Sequence, residues 1–302
     1  MKRPDESRTL PPDIRLGAVR LSVADLTRSL SFYRDLLGLA VLSRTESTAA
    51  LGGVGNEGSL VELHEDRGIA PLPSGGRPGL YHFALLLSSR THLGHFVRHV
   101  AERRVPLGAA DHAVSEAVYL QDPDGLGIEV YADRPADRWE YHRGQLRMGT
   151  RPLDLERLVA DAGVGEWEGF PGDTRMGHLH LHVSDLDRAS KFYEGALGLT
   201  RTVWNYPGAL FLAADGYHHH LGLNTWATRK DPAPEPEAHL IRWEILLSSR
   251  EALEAVRLRF EEAGHPLETV RDELTVRDPS ETELAIGLEV REAADPPTPS
   301  LR

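Results

Sequence analysis

Displaced by 160 positions, the chain matches itself. Asp25-Leu26, Phe32-Tyr33 and Gly38-Leu39 recur as Asp185-Leu186, Phe192-Tyr193 and Gly198-Leu199, and Leu86-Leu87-Ser88-Ser89-Arg90 recurs as Leu246-Leu247-Ser248-Ser249-Arg250. Two copies of one unit restrict the fold to one in which equivalent pieces pack together. The copies differ where chemistry would sit. Ala18 matches His178, His82 matches Arg242, and Glu129 matches Ala285, the last counted from the Asp122-Pro123 and Asp278-Pro279 turns. Neither half holds two histidines and a carboxylate at these places, but the middle of the chain does.

A length of 302 residues accommodates two domains of ordinary size, in agreement with the repeat. The net charge of −12 disfavours nucleic acid or an anionic membrane surface as partner and favours a small molecule. Without cysteine there are no disulfides, thiolate metal sites or thiol nucleophiles, so a metal would be held by imidazole nitrogen and carboxylate oxygen. No apolar run approaches the ~20 residues of a membrane span, and the basic start is followed by no apolar stretch, so a cytoplasmic protein is expected.

Each half divides again. Residues 15–23 alternate like a half-buried strand, and Asp25 caps a helix whose Leu26, Leu30, Tyr33 and Leu37 share one face until Gly38. Strand candidates follow at 40–46, 49–52 and 59–64. The second unit reads as a strand at 80–87, a helix at 90–103, and strands at 117–121 and 127–131 about an Asp122-Pro123-Asp124-Gly125 turn. The third and fourth units begin near His178 and Ile241 and end near Asn224 and Val290. The expected class is α+β, with four βαβββ modules at 14–68, 79–133, 176–228 and 239–291. Domains 14–133 and 176–291 flank a charged connector, 134–175, with a short helix around 153–162. Residues 1–13 and those after Arg291 read as loose tails, and Pro232-Ala233-Pro234-Glu235-Pro236 as an extended linker.

Strand parity selects the side chains that can meet. In Gly177-His178-Leu179-His180-Leu181-His182-Val183 the three histidines share one face and the apolar residues the other. The same alternation sends His82 and Glu129 toward a cavity. Two imidazoles and one carboxylate can occupy one face of an octahedron and leave three positions open, an arrangement that suits iron(II) sites for oxygen activation. In a chain with fifteen histidines a single one is more often on the surface or hydrogen-bonded than a ligand, and His180 and His182 are read in that class.

Several segments together resemble the vicinal oxygen chelate superfamily, and more narrowly its bacterial catechol 2,3-dioxygenase-like members, over residues 14–290. They are Gly79-Leu80-Tyr81-His82-Phe83, Val114-Ser115-Glu116-Ala117-Val118-Tyr119-Leu120, Asp122-Pro123-Asp124-Gly125, the strand from Gly177 to Leu186, and Gly216-Tyr217-His218-His219-His220-Leu221-Gly222-Leu223-Asn224. The resemblance implies two half-barrel domains with modules 2 and 3 paired as the active site and modules 1 and 4 as an inactive one. It implies His82, Glu129 and His178 as ligands of iron(II), with manganese(II) the alternative, acting on a small aromatic substrate and O2, in a chain that can form a homo-oligomer. Better-known extradiol enzymes keep all three ligands in the C-terminal half, where this chain has Arg242 and Ala285.

By the same resemblance Tyr119 is the active-site tyrosine, and alignment on Leu221 makes His219 the acid/base, with His220 as substitute. Parity would instead send His218 and His220 to the cavity unless a bulge intervenes. His112 and Asn224 are further candidates near the substrate. The rival readings are a glyoxalase-like isomerase, whose second carboxylate falls here on Gly222, and a metal-free protein that sequesters a small ligand. Module pairing 1 with 4 also carries an expectation of its own: Glu62 and Arg242 should form an ion pair within about 4 Å in the inactive cavity.

Overall fold

The computed structural model describes residues 8–56, 58–214, 216–229 and 236–289. The strand, helix, three strands pattern occurs four times. Module 1 comprises β1 (Arg15–Val23), α1 (Leu26–Leu30), β2 (Ala40–Arg44), β3 (Thr48–Gly52) and β4 (Val61–Glu65). Module 2 comprises β5 (Gly79–Leu87), α2 (Arg90–Glu102), β6 (Gly108–Asp111), β7 (Ser115–Gln121) and β8 (Gly127–Asp133). The connector carries β9 (Tyr141–His142), β10 (Gln145–Leu146) and α3 (Leu155–Asp161). Module 3 comprises β11 (Arg175–His182), α4 (Leu186–Ser190), β12 (Thr200–Val203), β13 (Ala209–Ala213) and β14 (Leu221–Asn224). Module 4 comprises β15 (His239–Leu247), α5 (Arg250–Glu262), β16 (Glu268–Val270), β17 (Glu273–Arg277) and β18 (Glu283–Leu288).

The helices begin where their side chains dictate. Asp25, Ser89, Asp185 and Ser249 each accept a hydrogen bond from the backbone N–H three residues on, satisfying an amide that a helix start leaves unpaired. After α1 and α4 the chain widens into a π-type turn before Gly38 and Gly198, at φ 92° and 95°, stop it.

The sheet orders are β16-β17-β18-β15-β1-β4-β3-β2 and β12-β13-β14-β11-β5-β8-β7-β6. The first joins module 4 to module 1 through the antiparallel pair β1 and β15, and the second joins module 3 to module 2 through β5 and β11. Within each module the first and last strands run parallel, which requires the crossover that the helix begins. Each half of the sequence therefore gives one module to each sheet.

The connector carries a short helix where one was expected and packs into the fold: Leu146, Leu158 and Phe170 are buried, and Gly94 of α2 lets the chain of α3 approach so closely that a Cβ there would lie 2.7 Å from the Leu158 carbonyl oxygen. One expectation needs correction: residues 8–13 are not a loose tail, because Leu10 is buried and its amide donates to the Gly198 carbonyl at 2.8 Å. An apolar side chain with a core to enter does not stay in water. Most of the Pro-rich linker and the segment after Arg291 lie outside the described residues.

The two Asp-Pro turns tie the sheets together. One carboxylate oxygen of Asp122 accepts from the amides of Asp124 and Leu126, and the other accepts from the Tyr33 hydroxyl at 3.1 Å. Asp278 repeats this with Ser280, Thr282 and the Tyr193 hydroxyl at 2.8 Å. In both cases the tyrosine belongs to a module of the other sheet. Burial, and then the nearby Asp124, push the Asp122 carboxyl up to about 6 despite its hydrogen bonds. A raised folded-state pKa means that the contribution of this group to stability is greatest in acid and is lost as pH rises through about 6. We predict that Tyr33→Phe costs about 1–3 kcal/mol above that pH, where it strips a donor from a buried carboxylate. The loss should shrink below about pH 6 as Asp122 takes up a proton; urea unfolding of both proteins across this range measures it.

Candidate metal centre

Across the middle of the second sheet, register places side chains in rows. His178 of β11 lies opposite Ala84 of β5, and Ala84 is in turn beside Glu129 of β8. In the next row His82 lies opposite His180. Paired residues point to the same face, so all four polar side chains enter one cavity. The residue between His178 and Glu129 is an alanine, whose methyl leaves room for the longer side chains to converge above it. His82 Nε2 is 3.0 Å and His178 Nε2 is 3.1 Å from the same oxygen, Oε2 of Glu129. The three donor atoms lie within 4.8 Å of one another and all three residues are buried.

This geometry fits a divalent cation better than it fits a set of hydrogen bonds. His82 Nε2, although close to Glu129, is off the line of a hydrogen bond and has no partner. Such an orphaned buried nitrogen costs free energy unless something coordinates it. Burial lowers the His82 pKa, with Glu129 opposing. Burial would raise that of Glu129, but the two imidazoles, His178 foremost, hold its carboxyl well below the usual range. An ionised carboxylate beside imidazole lone pairs is the protonation state that metal binding requires.

Over the cluster is a cavity of about 190 Å³. His219 packs against His178 with ring centroids 4.1 Å apart and ring planes tilted by 44°, and it lines the cavity. Tyr119 sits beside Glu129 in register, and its hydroxyl is 2.6 Å from His112 Nε2; burial and then the Glu129 charge push the phenol pKa well up. The far wall is aromatic, formed by Tyr81, Tyr206, Phe211 and Trp226. The connector closes the top: His112 Nδ1 meets the Gly149 carbonyl at 2.8 Å, and the Thr150 hydroxyl meets that of Tyr206 at 3.1 Å.

Other candidates are placed differently. His220 turns away into a second cavity, where its Nδ1 accepts from the Ala214 amide. His218 is fully buried behind His219, and Asn224 accepts from His182 and from the Trp226 amide without lining the metal cavity. The parity conflict dissolves because β14 begins only at Leu221, so the three histidines before it are not bound to strand alternation. His180, read from sequence as hydrogen-bonded, lines the cavity with an unpartnered Nε2. Gly222 makes room for it, since a Cβ there would lie 2.8 Å from the His180 ring.

The equivalent place in the first sheet has Ala18, Arg242 and Ala285, and no metal-capable group forms there among the described residues. The expected Glu62 to Arg242 pair is absent. Arg20 stands between them in register and takes Glu62 at 2.8 Å, leaving Arg242 to bind Glu273 at 2.5 Å and Glu244 at 3.2 Å.

The Glyoxalase/Bleomycin resistance protein/Dioxygenase superfamily matches residues 15–130 and 175–284. A catechol-2,3-dioxygenase of Bacillus subtilis (strain 168) is 42% identical over 271 residues, covering 88% of this chain and 94% of that protein. A lactoylglutathione lyase of Salmonella typhimurium is 28% identical over 136 residues, 41% of this chain and 97% of the relative. In fold, glyoxalase I from Zea mays superposes with a TM-score of 0.56 at 19% identity, over 91% of this chain and 92% of that one. Matched across both sheets and aligned almost end to end with a close relative, the chain belongs to the Glyoxalase/Bleomycin resistance protein/Dioxygenase superfamily.

Proposed function

We propose that the chain is an extradiol dioxygenase that opens a catechol ring with O2, using iron(II), or alternatively manganese(II), held by His82, Glu129 and His178. The observation that carries this reading is the buried cluster of two imidazoles and one carboxylate, with His219 packed against it and aromatic side chains lining the same cavity. The 42% identity to a catechol-2,3-dioxygenase supports it. When bound, the metal supplies a Lewis acid for the two catechol oxygens and the electron needed to engage dioxygen.

The chain's own groups supply the remainder. His219 takes a proton from a catechol hydroxyl and can return it as the ring opens. The Tyr119 hydroxyl, kept protonated by burial and by the Glu129 charge, donates to His112 Nε2, whose Nδ1 donates to the Gly149 carbonyl, and so meets a substrate hydroxyl as an acceptor. Tyr81, Phe211 and Trp226 hold the ring and exclude water. Among the described residues, no lysine or arginine lines the cavity. An uncharged catechol therefore fits it, while a carboxylate substituent would enter without a counter-ion. An isomerase of the glyoxalase type lacks its second carboxylate here, because Gly222 is occupied by the approach of His180.

The direct test is anaerobic loading with iron(II), then oxygen uptake and yellow ring-fission product over a panel of neutral and carboxylated catechols. Absence of both signals with every catechol sinks the proposal. His82→Ala, Glu129→Ala and His178→Ala should each abolish stoichiometric metal binding, read by elemental analysis, whereas His182→Ala retains it. Ala84→Leu should fold yet lose metal, since a larger side chain forces His178 and Glu129 apart; metal content equal to wild type refutes that role for the alanine. His219→Gln and Tyr119→Phe should keep the metal and lower turnover by about 10²–10⁴-fold, measured at saturating substrate.

A further inference from the structure

Behind His219 runs a line of hydrogen bonds that metal coordination does not use. His219 Nδ1 is 2.7 Å from His218 Nδ1, and His218 Nε2 is 2.9 Å from Oδ1 of Asp133, the last residue of β8. Two ring nitrogens facing each other need one proton between them, and which nitrogen carries it decides the far side of each ring. We propose that Asp133, acting through His218, fixes His219 in the tautomer whose cavity-facing Nε2 is a bare lone pair, making Asp133 and His218 positioning residues for the acid/base step.

The carboxylate can only accept, so His218 Nε2 carries a hydrogen and its Nδ1 is left as an acceptor. His219 must then donate from Nδ1, and Nε2 is free of hydrogen and ready to remove a proton from a bound hydroxyl. The other oxygen of Asp133 accepts from the Tyr217 hydroxyl at 3.0 Å, and Tyr217 lies 2.7 Å from the Tyr131 hydroxyl. With Tyr217 donating to Asp133, Tyr131 donates to Tyr217, so every bond in this second line also runs toward the carboxylate. His218 has no access to water that could reverse the order: it is wholly buried, with Trp139 packed edge-on at 5.5 Å, and its backbone carbonyl accepts from the Thr202 hydroxyl at 2.7 Å. Asp133 itself lines a second cavity, distinct from the one over His82, Glu129 and His178. Parity alone joins it to the site, because Glu129, Tyr131 and Asp133 alternate along one face of β8.

The inference rests on the assignment of His219 as the acid/base, yet it can be tested without turnover. Long-range ¹⁵N–¹H correlation spectra of the full chain labelled in histidine, recorded without metal, should show His219 protonated at Nδ1 and His218 at Nε2. Asp133→Asn offers one acceptor and one donor where the native group only accepts, so it should mix the His219 tautomers. In the iron(II)-loaded enzyme it should lower kcat by about 10²-fold or more, with KM and iron content unchanged. Asp133→Glu, which restores a carboxylate, should recover part of the loss. A wild-type His219 protonated at Nε2 overturns the proposal, as does an Asp133→Asn variant with unaltered tautomer and kcat. A chain with the expected tautomers that cleaves no catechol would remove the dioxygenase reading and leave the relay standing.

Discussion

The antiparallel pairing of β5 with β11 is the constraint on which the site depends. These strands come from different modules and different halves of the sequence, and only their register sets His82 and His178 on neighbouring strands with Glu129 one strand beyond. The pair carries irregularities between Met176 and His178 and between His180 and Leu181. A bulge changes which side chains lie opposite each other and increases local twist. It is through such an offset that His178 comes to face Ala84, the one position in its row where a methyl lets Glu129 reach over.

Holding this register has a cost that the rest of the fold must offset. Nitrogens of His82, His178 and His180 are buried without hydrogen-bond partners, and each such group opposes folding by about 1–3 kcal/mol. The opposing contribution is spread through one continuous apolar core, which runs from Leu16 and Leu21 of β1 through Phe83 and Phe96 of module 2 to Trp243 and Phe260 of module 4. Because the two sheets share that core, and because Tyr33 and Tyr193 each cross to an aspartate of the other sheet, the first sheet supports the one that carries the histidine cluster.

Much of this was legible in the sequence, and the parts that were not have physical reasons. The repeat and strand alternation identified four modules and put His82, Glu129 and His178 on cavity-facing positions, since these rest on period and spacing. His180 was visible to the same alternation, but its role as a wall was not, because nothing in one strand tells which buried imidazole lacks a partner. The closure by Met148, Gly149 and Thr150 was hidden, because a connector without periodicity shows where it docks only after folding. His219 depends on β14 starting at Leu221, and strand ends are the least readable feature of a sequence. The failed Glu62 to Arg242 pair has a different cause: two charges at equivalent sites were considered without Arg20, which register sets between them.

The two sheets also show how the same place in the fold is filled with and without a set of metal-capable side chains. In the first sheet, Arg242 and Glu244 remain where the cavity-facing row would lie, but each charge is now answered locally by Glu273, or by Arg242 itself. Burial raises the Glu244 pKa even so, and Gly17 leaves its carboxylate the space that a side chain would fill. A cluster of paired opposite charges needs no ion, whereas one carboxylate shared by two imidazoles, with His82 Nε2 left without a hydrogen-bond partner, has a donor set that could hold one. The difference between the two halves is therefore one of charge pairing rather than of fold. Restoring histidine at Arg242 would leave Glu273 and Glu244 without their cation before it created a ligand, which is why single substitutions should not readily rebuild the second site.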